Sequence, residues 1–363
     1  MIPIARPELP DLDAYRRLLE EIWQSHMLSN FGRHAKALEA EAARYLAAAH
    51  VRAVANCDLG LVLALAALDL PEGGECLMPA FTFNSSPNAA LWNRLVPVFC
   101  DIDPETFTLD PADLERCLSP RTTVVLATHV FGNPCDADCL RGLTSARAIP
   151  LVFDAAHAYG SLYRGRKVGT LGDFEVFSLS GTKPVTSAEG GLVSTNHEEL
   201  AERIRLGRNY GFYGDYNSRV PGLNAKISEL HAALGCLTLA TVEEAVRRRN
   251  AIAARYRENL KNVDAISFQR VDARNRSTFK DFAIVCVHSS RELQTHLEDR
   301  GVETKRYFLP AHRMDYFRRF SREPLPRTEE LYEKILCLPI YNELGMTEVD
   351  RISQLVTDFF RRR

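Results

Sequence analysis

Leu151-Val-Phe-Asp154-Ala-Ala-His157 and Phe174-Glu-Val-Phe177-Ser178-Leu-Ser180-Gly-Thr182-Lys183 are apolar runs of strand length that end in chemically active side chains. The first stops at a carboxylate. The second stops at hydroxyls and a lysine, and Ser187-Ala-Glu189-Gly190-Gly191 leads on into a further strand. Working outward, similar short runs occur at Arg52–Ala55, Cys76–Met78, Val96–Cys100, Thr123–Thr128 and Gly191–Thr195. Helical patterns at Gly60–Leu70, Ser85–Trp92, Pro111–Leu118 and Asp136–Ala148 lie between most of them. Apolar strands alternating with helices imply an α/β fold with a mostly parallel sheet covered on both faces. Such sheets bind ligands outside the carboxyl ends of their strands. The residues that directly follow a strand are therefore the candidates for chemistry.

The flanks read differently. Leu12, Tyr15, Leu18, Leu19, Ile22 and Trp23 recur at helical spacing, Phe31-Gly32 breaks the pattern, and a second helix runs through Leu38, Ala42 and Leu46. A long helix is expected from Lys226 to about Leu260. Beyond it a smaller α+β region is expected, with a strand at Phe282–Val287 and helices at Arg291–Arg300, Thr328–Leu336 and Thr347–Phe360. The expected division is a large domain over 1–240 and a small C-terminal domain over 241–363. The basic tail Arg361-Arg362-Arg363 reads as a solvated end.

Composition narrows the function classes. The 363 residues allow two or three domains. Apolar residues make up 46% and charged residues 25%, which excludes disorder as the main state. Lys and Arg total 45 against 47 Asp and Glu, so the net charge of −2 gives no global attraction to nucleic acid. No apolar run approaches the ~20 residues of a membrane span. Met1 to Pro10 lacks the pattern of a secretion signal, so the expected location is cytoplasmic. Nine scattered cysteines suit free thiols. Cys135, Cys139 and His129 lack the further ligands of a zinc site, and no metal is assigned.

Position alone leaves Asp154 as a helix cap or as a carboxylate at the ligand edge, and Lys183 as a surface charge or a desolvated nucleophile. Taken together they match what pyridoxal phosphate (PLP) needs. A carboxylate keeps the pyridine nitrogen protonated, and a lysine forms a Schiff base with the aldehyde.

At this point the sequence resembles the DegT/DnrJ/EryC1/StrS family of PLP-dependent sugar aminotransferases, within fold type I. The landmarks run from Leu28-Ser-Asn-Phe-Gly32 to Cys337-Leu-Pro-Ile-Tyr341. Between them, in family order, stand Pro79-Ala-Phe-Thr-Phe83, Asp101-Ile-Asp-Pro104, His129-Val-Phe-Gly132, Asp154-Ala-Ala-His157, Thr182-Lys183, Glu189-Gly-Gly191, Arg208-Asn-Tyr-Gly211 and Gly222-Leu-Asn224-Ala-Lys-Ile-Ser-Glu. The resemblance implies that Lys183 is the Schiff-base lysine and proton shuttle, and that Asp154 pairs with the pyridinium nitrogen. It places His157 near the ring 3-hydroxyl, Phe83 on the ring face and Ser178 on the phosphate. It gives Asn224 to the phosphate of the neighbouring subunit of a homodimer. The implied reaction moves an amino group from glutamate to a nucleotide-linked 4-keto-6-deoxyhexose. A 3-keto sugar is the runner-up, and Lys305-Arg306-Tyr307-Phe308-Leu-Pro310 favours the C4 subgroup. Arg219, Lys226, Lys305 and Arg306 are candidates for the sugar diphosphate, with the charges between His312 and Arg319 in the same group.

Two stretches depart from the family pattern. Where relatives carry Asn-Gly-Thr or Ser-Gly-Thr, this chain reads Asn56-Cys57-Asp58. Cys57 and Asp58 are then expected to donate backbone amides to the phosphate, with the Asp58 side chain turned away to cap the helix and cofactor retention weakened by like charge. Ser180-Gly181 replaces the more usual His-Pro or His-Ala before the Thr-Lys pair. Cys57 has no neighbouring base in the sequence to make it a nucleophile. A sugar dehydratase would carry histidine in place of Lys183. A non-catalytic PLP-binding regulator on the same scaffold is the competing class, supported by Asp58 and opposed by the intact Asp154–Lys183 pair.

Overall fold

The computed structural model describes residues 1–361; Arg362 and Arg363 of the basic tail lie outside them. Helices α1 (Leu12–Ser25) and α2 (Arg33–Leu46) open the chain. The alternation then runs β1 (His50–Val54), α3 (Cys57–Ala67), β2 (Glu75–Pro79), α4 (Ser85–Trp92), β3 (Val96–Cys100), α5 (Pro111–Cys117), β4 (Thr122–Thr128), α6 (Ala137–Ser145) and β5 (Leu151–Asp154). A two-stranded hairpin, β6 (Leu162–Tyr163) and β7 (Arg166–Lys167), precedes β8 (Phe174–Ser178), β9 (Gly191–Thr195) and α7 (Glu198–Gly207). The remainder is α8 (Glu229–Ala240), α9 (Val242–Leu260), β10 (Ile266–Phe268), β11 (Phe282–Cys286), α10 (Arg291–Glu298), α11 (Pro326–Lys334), β12 (Ile335–Leu338) and α12 (Met346–Arg361).

Seven strands form the main sheet in the order β1-β9-β8-β5-β4-β2-β3. Every pair is parallel except those made by β9, which runs antiparallel to both β8 and β1. This is the expected mostly parallel α/β sheet. Its strands are buried along nearly their whole length because helices cover both faces. Leu38, Val125, Phe153 and Phe177 pack on one side, and Leu61, Leu126, Val152 and Val176 on the other. Strands β5 and β8 are neighbours, with Asp154 opposite Val176. Two segments 29 residues apart in sequence (183 − 154) therefore end side by side.

A second, antiparallel sheet, β10-β11-β12, carries its own core against α9, α10 and α12, including Tyr256, Phe282, Leu293, Leu336 and Ile352. Two sequence expectations are corrected here. The long helix is two helices: Ser228 caps α8 by accepting from the His231 amide at 3.3 Å, so Lys226 is not helical, and Thr241 breaks the run at φ −104°, ψ 5°. The helix expected to reach Leu336 stops at Lys334, because the apolar run Ile335–Leu338 pairs with β11 as a buried strand. The hairpin β6–β7 and the short strand β10 carried too few residues for a period-2 pattern to be read.

Helix α3 enters the sheet at very close range. A Cβ on Gly191 would stand 2.8 Å from the Asn56 carbonyl carbon and 2.9 Å from the Cys57 nitrogen. Both are backbone atoms that cannot swing aside. We predict that Gly191→Ala destabilises the fold by about 1–3 kcal/mol, the usual cost of overpacking. Urea unfolding with an unchanged m value is the measurement.

Candidate active site

The carboxyl ends of β5 and β8, the start of α3 and the segment before β11 enclose one cavity of about 390 Å³. Its walls include Asn56, Cys57, Asp58, Phe83, Asp154, His157, Ser178 and Lys183, together with Lys280, Asp281, Tyr307 and Phe308. Asn224 is the one expected site residue outside it, exposed on the loop before α8.

Asp154 ends β5 and is buried. One carboxylate oxygen accepts from Ser86 Oγ at 2.8 Å and the other from the Ala156 amide at 3.1 Å. No helix follows, so it caps none. Burial pushes its carboxyl above the ordinary range, while Ser86, the Ala156 amide and Lys183 pull it back. The group lacks a full counter-charge and faces a cavity. A protonated ring nitrogen would supply that charge, so the residue fits a pyridinium partner.

Lys183 sits in the loop after β8, its amide held by the Ser180 carbonyl at 3.0 Å. Its ammonium is pushed down to about 8, first by burial and then by the neighbouring Lys280 charge, with Asp281 acting the other way. An amine of this kind has a far larger neutral fraction near physiological pH than an ordinary lysine, and that fraction can act as a nucleophile or base.

His157 Nδ1 accepts the Phe131 amide at 3.2 Å. Burial, aided by the Lys183 and Lys280 charges, holds the imidazole well below its ordinary value. The ring is therefore neutral, and its proton lies on Nε2, which makes it a donor. Phe83 is 55% exposed and lines the cavity, while Phe81, two residues earlier, is fully buried. Its ring meets Phe308 edge-on with centroids 6.2 Å apart, and a flat ring in a cavity wall suits stacking.

The start of α3 answers the question raised by Asn56-Cys57-Asp58. Asn56, not Asp58, caps the helix, accepting from the Leu59 amide at 2.8 Å. The first-turn amides of Cys57 and Asp58 are those that intrahelical bonds leave free, and they suit an anion. The Asp58 side chain accepts from Ser85 Oγ at 2.7 Å and stays in the cavity wall, so it has not turned away as expected. The Cys57 thiol is buried, and burial pushes it well above its ordinary value. It is unsuited to act as a thiolate. Ser178, at the end of β8, keeps a hydroxyl in the wall and bonds to Ser180 Oγ at 3.2 Å.

Some residues are placed elsewhere than the sequence suggested. Arg306 is built into the small sheet's surroundings, donating to Ser290 Oγ at 3.0 Å and to the Tyr332 carbonyl at 2.7 Å, so it is not open to a diphosphate. His312 pairs with Glu329 at 3.0 Å. Lys226 bonds Asn209 at 3.1 Å and Arg219 pairs with Asp215 at 3.2 Å, both outside the cavity. Lys280 and Asp281 escaped sequence reading altogether. Their signal was two opposite charges set directly before an apolar strand.

The family model described as the DegT/DnrJ/EryC1/StrS aminotransferase family matches residues 13–357. The chain belongs to this family. It is similar to the Escherichia coli dTDP-4-amino-4,6-dideoxy-D-glucose transaminase, 29% identical over 364 residues and covering 98% of both chains. It is also similar to the erythromycin biosynthesis sensory transduction protein EryC1 of Saccharopolyspora erythraea, 35% identical, covering 94% of this chain and 93% of that one. Among solved structures, DesI in the presence of its TDP-sugar product superimposes with a TM-score of 0.94 at 34% identity, covering 99% of this chain and 93% of that one.

The lowered ammonium of Lys183 makes a prediction that needs no ligand. Labelling of the apo chain with an amine-selective reagent, read residue by residue by mass spectrometry, should reach half its plateau at Lys183 near pH 8. Ordinary lysines should do so near pH ~10.4. A Lys183 profile that follows the ordinary lysines would contradict this electrostatic account.

Proposed function

We propose that this chain is a PLP-dependent aminotransferase that moves an amino group from glutamate to C4 of a nucleotide-linked 4-keto-6-deoxyhexose. One observation carries the reading: Asp154 and Lys183, from separate strand ends, line the same cavity with a neutral His157 and an open Phe83 face. The transaminase and TDP-sugar relatives support the substrate class, and the 4-amino product named for the Escherichia coli relative favours C4 over C3. The working unit in this proposal is a cytoplasmic homodimer. Asn224, exposed and outside its own cavity, would reach the neighbouring subunit's phosphate. Residues 1–240 would form the large domain and 241–363 the small one.

Bound PLP supplies an aldehyde that exchanges amines and a protonated pyridine ring that takes up an electron pair. Asp154 would hold the proton on the ring nitrogen. His157 would donate from Nε2 to the ring oxygen. Phe83 would cover one ring face and exclude water from it. Ser178 and the Cys57 and Asp58 amides would bind the phosphate at the α3 N-terminus. The ε-amine of Lys183 would hold the cofactor at rest. Once a substrate amine displaces it, the Lys183 amine would take and return one proton, which requires its neutral form, and burial favours that form.

The test is an absorption spectrum of the purified protein with PLP, before and after glutamate and without sugar. A visible band that gives way to the near-ultraviolet band of pyridoxamine phosphate is expected, and Lys183→Ala should abolish the visible band. A band that glutamate leaves unchanged would contradict the glutamate assignment, and no band at all would favour the non-catalytic alternative. Asp58→Asn should tighten PLP retention about tenfold by equilibrium dialysis. That equals about 1.4 kcal/mol, within the ~1–4 kcal/mol that a charge at ~4 Å is worth near a surface. Unchanged or weaker retention would show that the Ser85-bound carboxylate does not repel the phosphate.

A further inference from the structure

Lys280 and Asp281 form an ion pair, 3.0 Å apart, whose side chains are 6% and 4% exposed. Removing two charges from water costs several kcal/mol per ion, and a pair of this kind is weak evidence for stability. This one is also held deliberately. The Lys280 amide donates to the Phe131 carbonyl at 3.0 Å. Buried Arg249 of α9, which also bonds Asn342 at 2.9 Å, donates to the Phe279 carbonyl at 3.3 Å and the Lys280 carbonyl at 3.4 Å. The pair is thus clamped at the entry to β11, where the small sheet meets the cavity, and both side chains line the cavity wall.

The charges of that wall decide what the pair can do. Among the described residues lining the cavity, the carboxylates are Asp58, Asp154, Glu189 and Asp281; the ammonium groups are Lys183 and Lys280, with no arginine. An amino-acid donor brings a carboxylate on the carbon that carries the reacting amine. That anion must come to rest beside Lys183, inside a wall that otherwise repels it. Lys183 is already engaged with the reacting centre, which leaves Lys280 among the described residues of this chain's own wall. An ammonium has three N–H donors, and Asp281 accounts for one of them. The sugar diphosphate is a poorer match. In a 4-keto hexose it hangs from C1, on the far side of the ring from the reacting carbon.

We propose that Lys280, oriented by Asp281, binds the α-carboxylate of the amino donor and makes the enzyme selective for amino acids over simple amines. The inference rests on the aminotransferase reading above. No bond is made or broken at Lys280; it contributes charge-assisted hydrogen bonds.

The PLP-loaded enzyme separates the two half-reactions. Loss of the visible band is followed against glutamate concentration, and its return is followed with the 4-keto sugar nucleotide. Lys280→Met and Lys280→Gln should raise half-saturating glutamate at least tenfold and half-saturating sugar nucleotide less than twofold, while the maximal rates of both half-reactions shift together because the Lys280 charge also lowers the Lys183 ammonium. Glutarate, which is glutamate without its amine, should compete in the wild type and lose that competition in Lys280→Gln. The preference for glutamate over 4-aminobutyrate, which lacks the α-carboxylate, should shrink by a similar factor. Lys280→Arg should recover part of the loss. If the neutral variants do not fold, Lys280→Arg alone should still shift half-saturating glutamate at least threefold with the sugar step unchanged. Half-saturating glutamate unaltered by these variants, or an equal rise in half-saturating sugar nucleotide, would overturn the assignment while leaving the aminotransferase reading intact. A wild type with no visible band overturns that reading and this inference with it.

Discussion

Burying the Asp154 carboxylate at the end of β5 is the constraint around which this cavity is arranged. An ionised carboxylate out of water costs several kcal/mol unless hydrogen bonds and a counter-charge offset it. Two hydrogen bonds are supplied locally, by Ser86 at the second position of α4 and by the Ala156 amide. Ser86 is itself within hydrogen-bond distance of Thr82, which also bonds Thr128 at the end of β4. Three successive strand ends are thereby tied to one carboxylate. The remaining deficit is electrostatic and faces the cavity, which is where a cationic ring would be received.

The same burial sets the protonation of the neighbours. A low-dielectric cavity disfavours charge on His157 and Lys183, and the Lys280 charge disfavours it further. The outcome is a donor imidazole and an amine that is partly neutral near pH 8, with no special base required for either. The glycines at 60 and 191 serve this arrangement from behind. A Cβ on Gly60 would meet Val176 Cγ1 at 2.7 Å, so a side chain there would lift α3 off β8 and shift its first-turn amides.

Much of this was legible in the chain. The alternation of apolar strands and helices carried the main sheet, because a parallel sheet buried on both faces leaves nearly continuous apolar runs. Asp154 and Lys183 stood out because each directly follows such a run. Legibility failed where the chain leaves that regime. The segment between α9 and β11 has short elements and no motif, so Lys280 and Asp281 looked like ordinary charges; only the folding of the second sheet against the first places them in the cavity wall. The run Ile335–Leu338 continued a helical pattern, and its pairing with β11 is a long-range fact. Asp58 was noticed as a departure, but its partner Ser85 belongs to α4, beyond any local pattern.

The central claim is that Asp154 holds a proton on the nitrogen of a bound pyridine ring. Nitrogen-15 NMR of the protein loaded with ring-labelled PLP reads that proton directly. The account predicts a protonated ring nitrogen across neutral pH in the wild type and its loss in Asp154→Asn. A neutral ring nitrogen in the wild type, with a shift indifferent to that substitution, would contradict it.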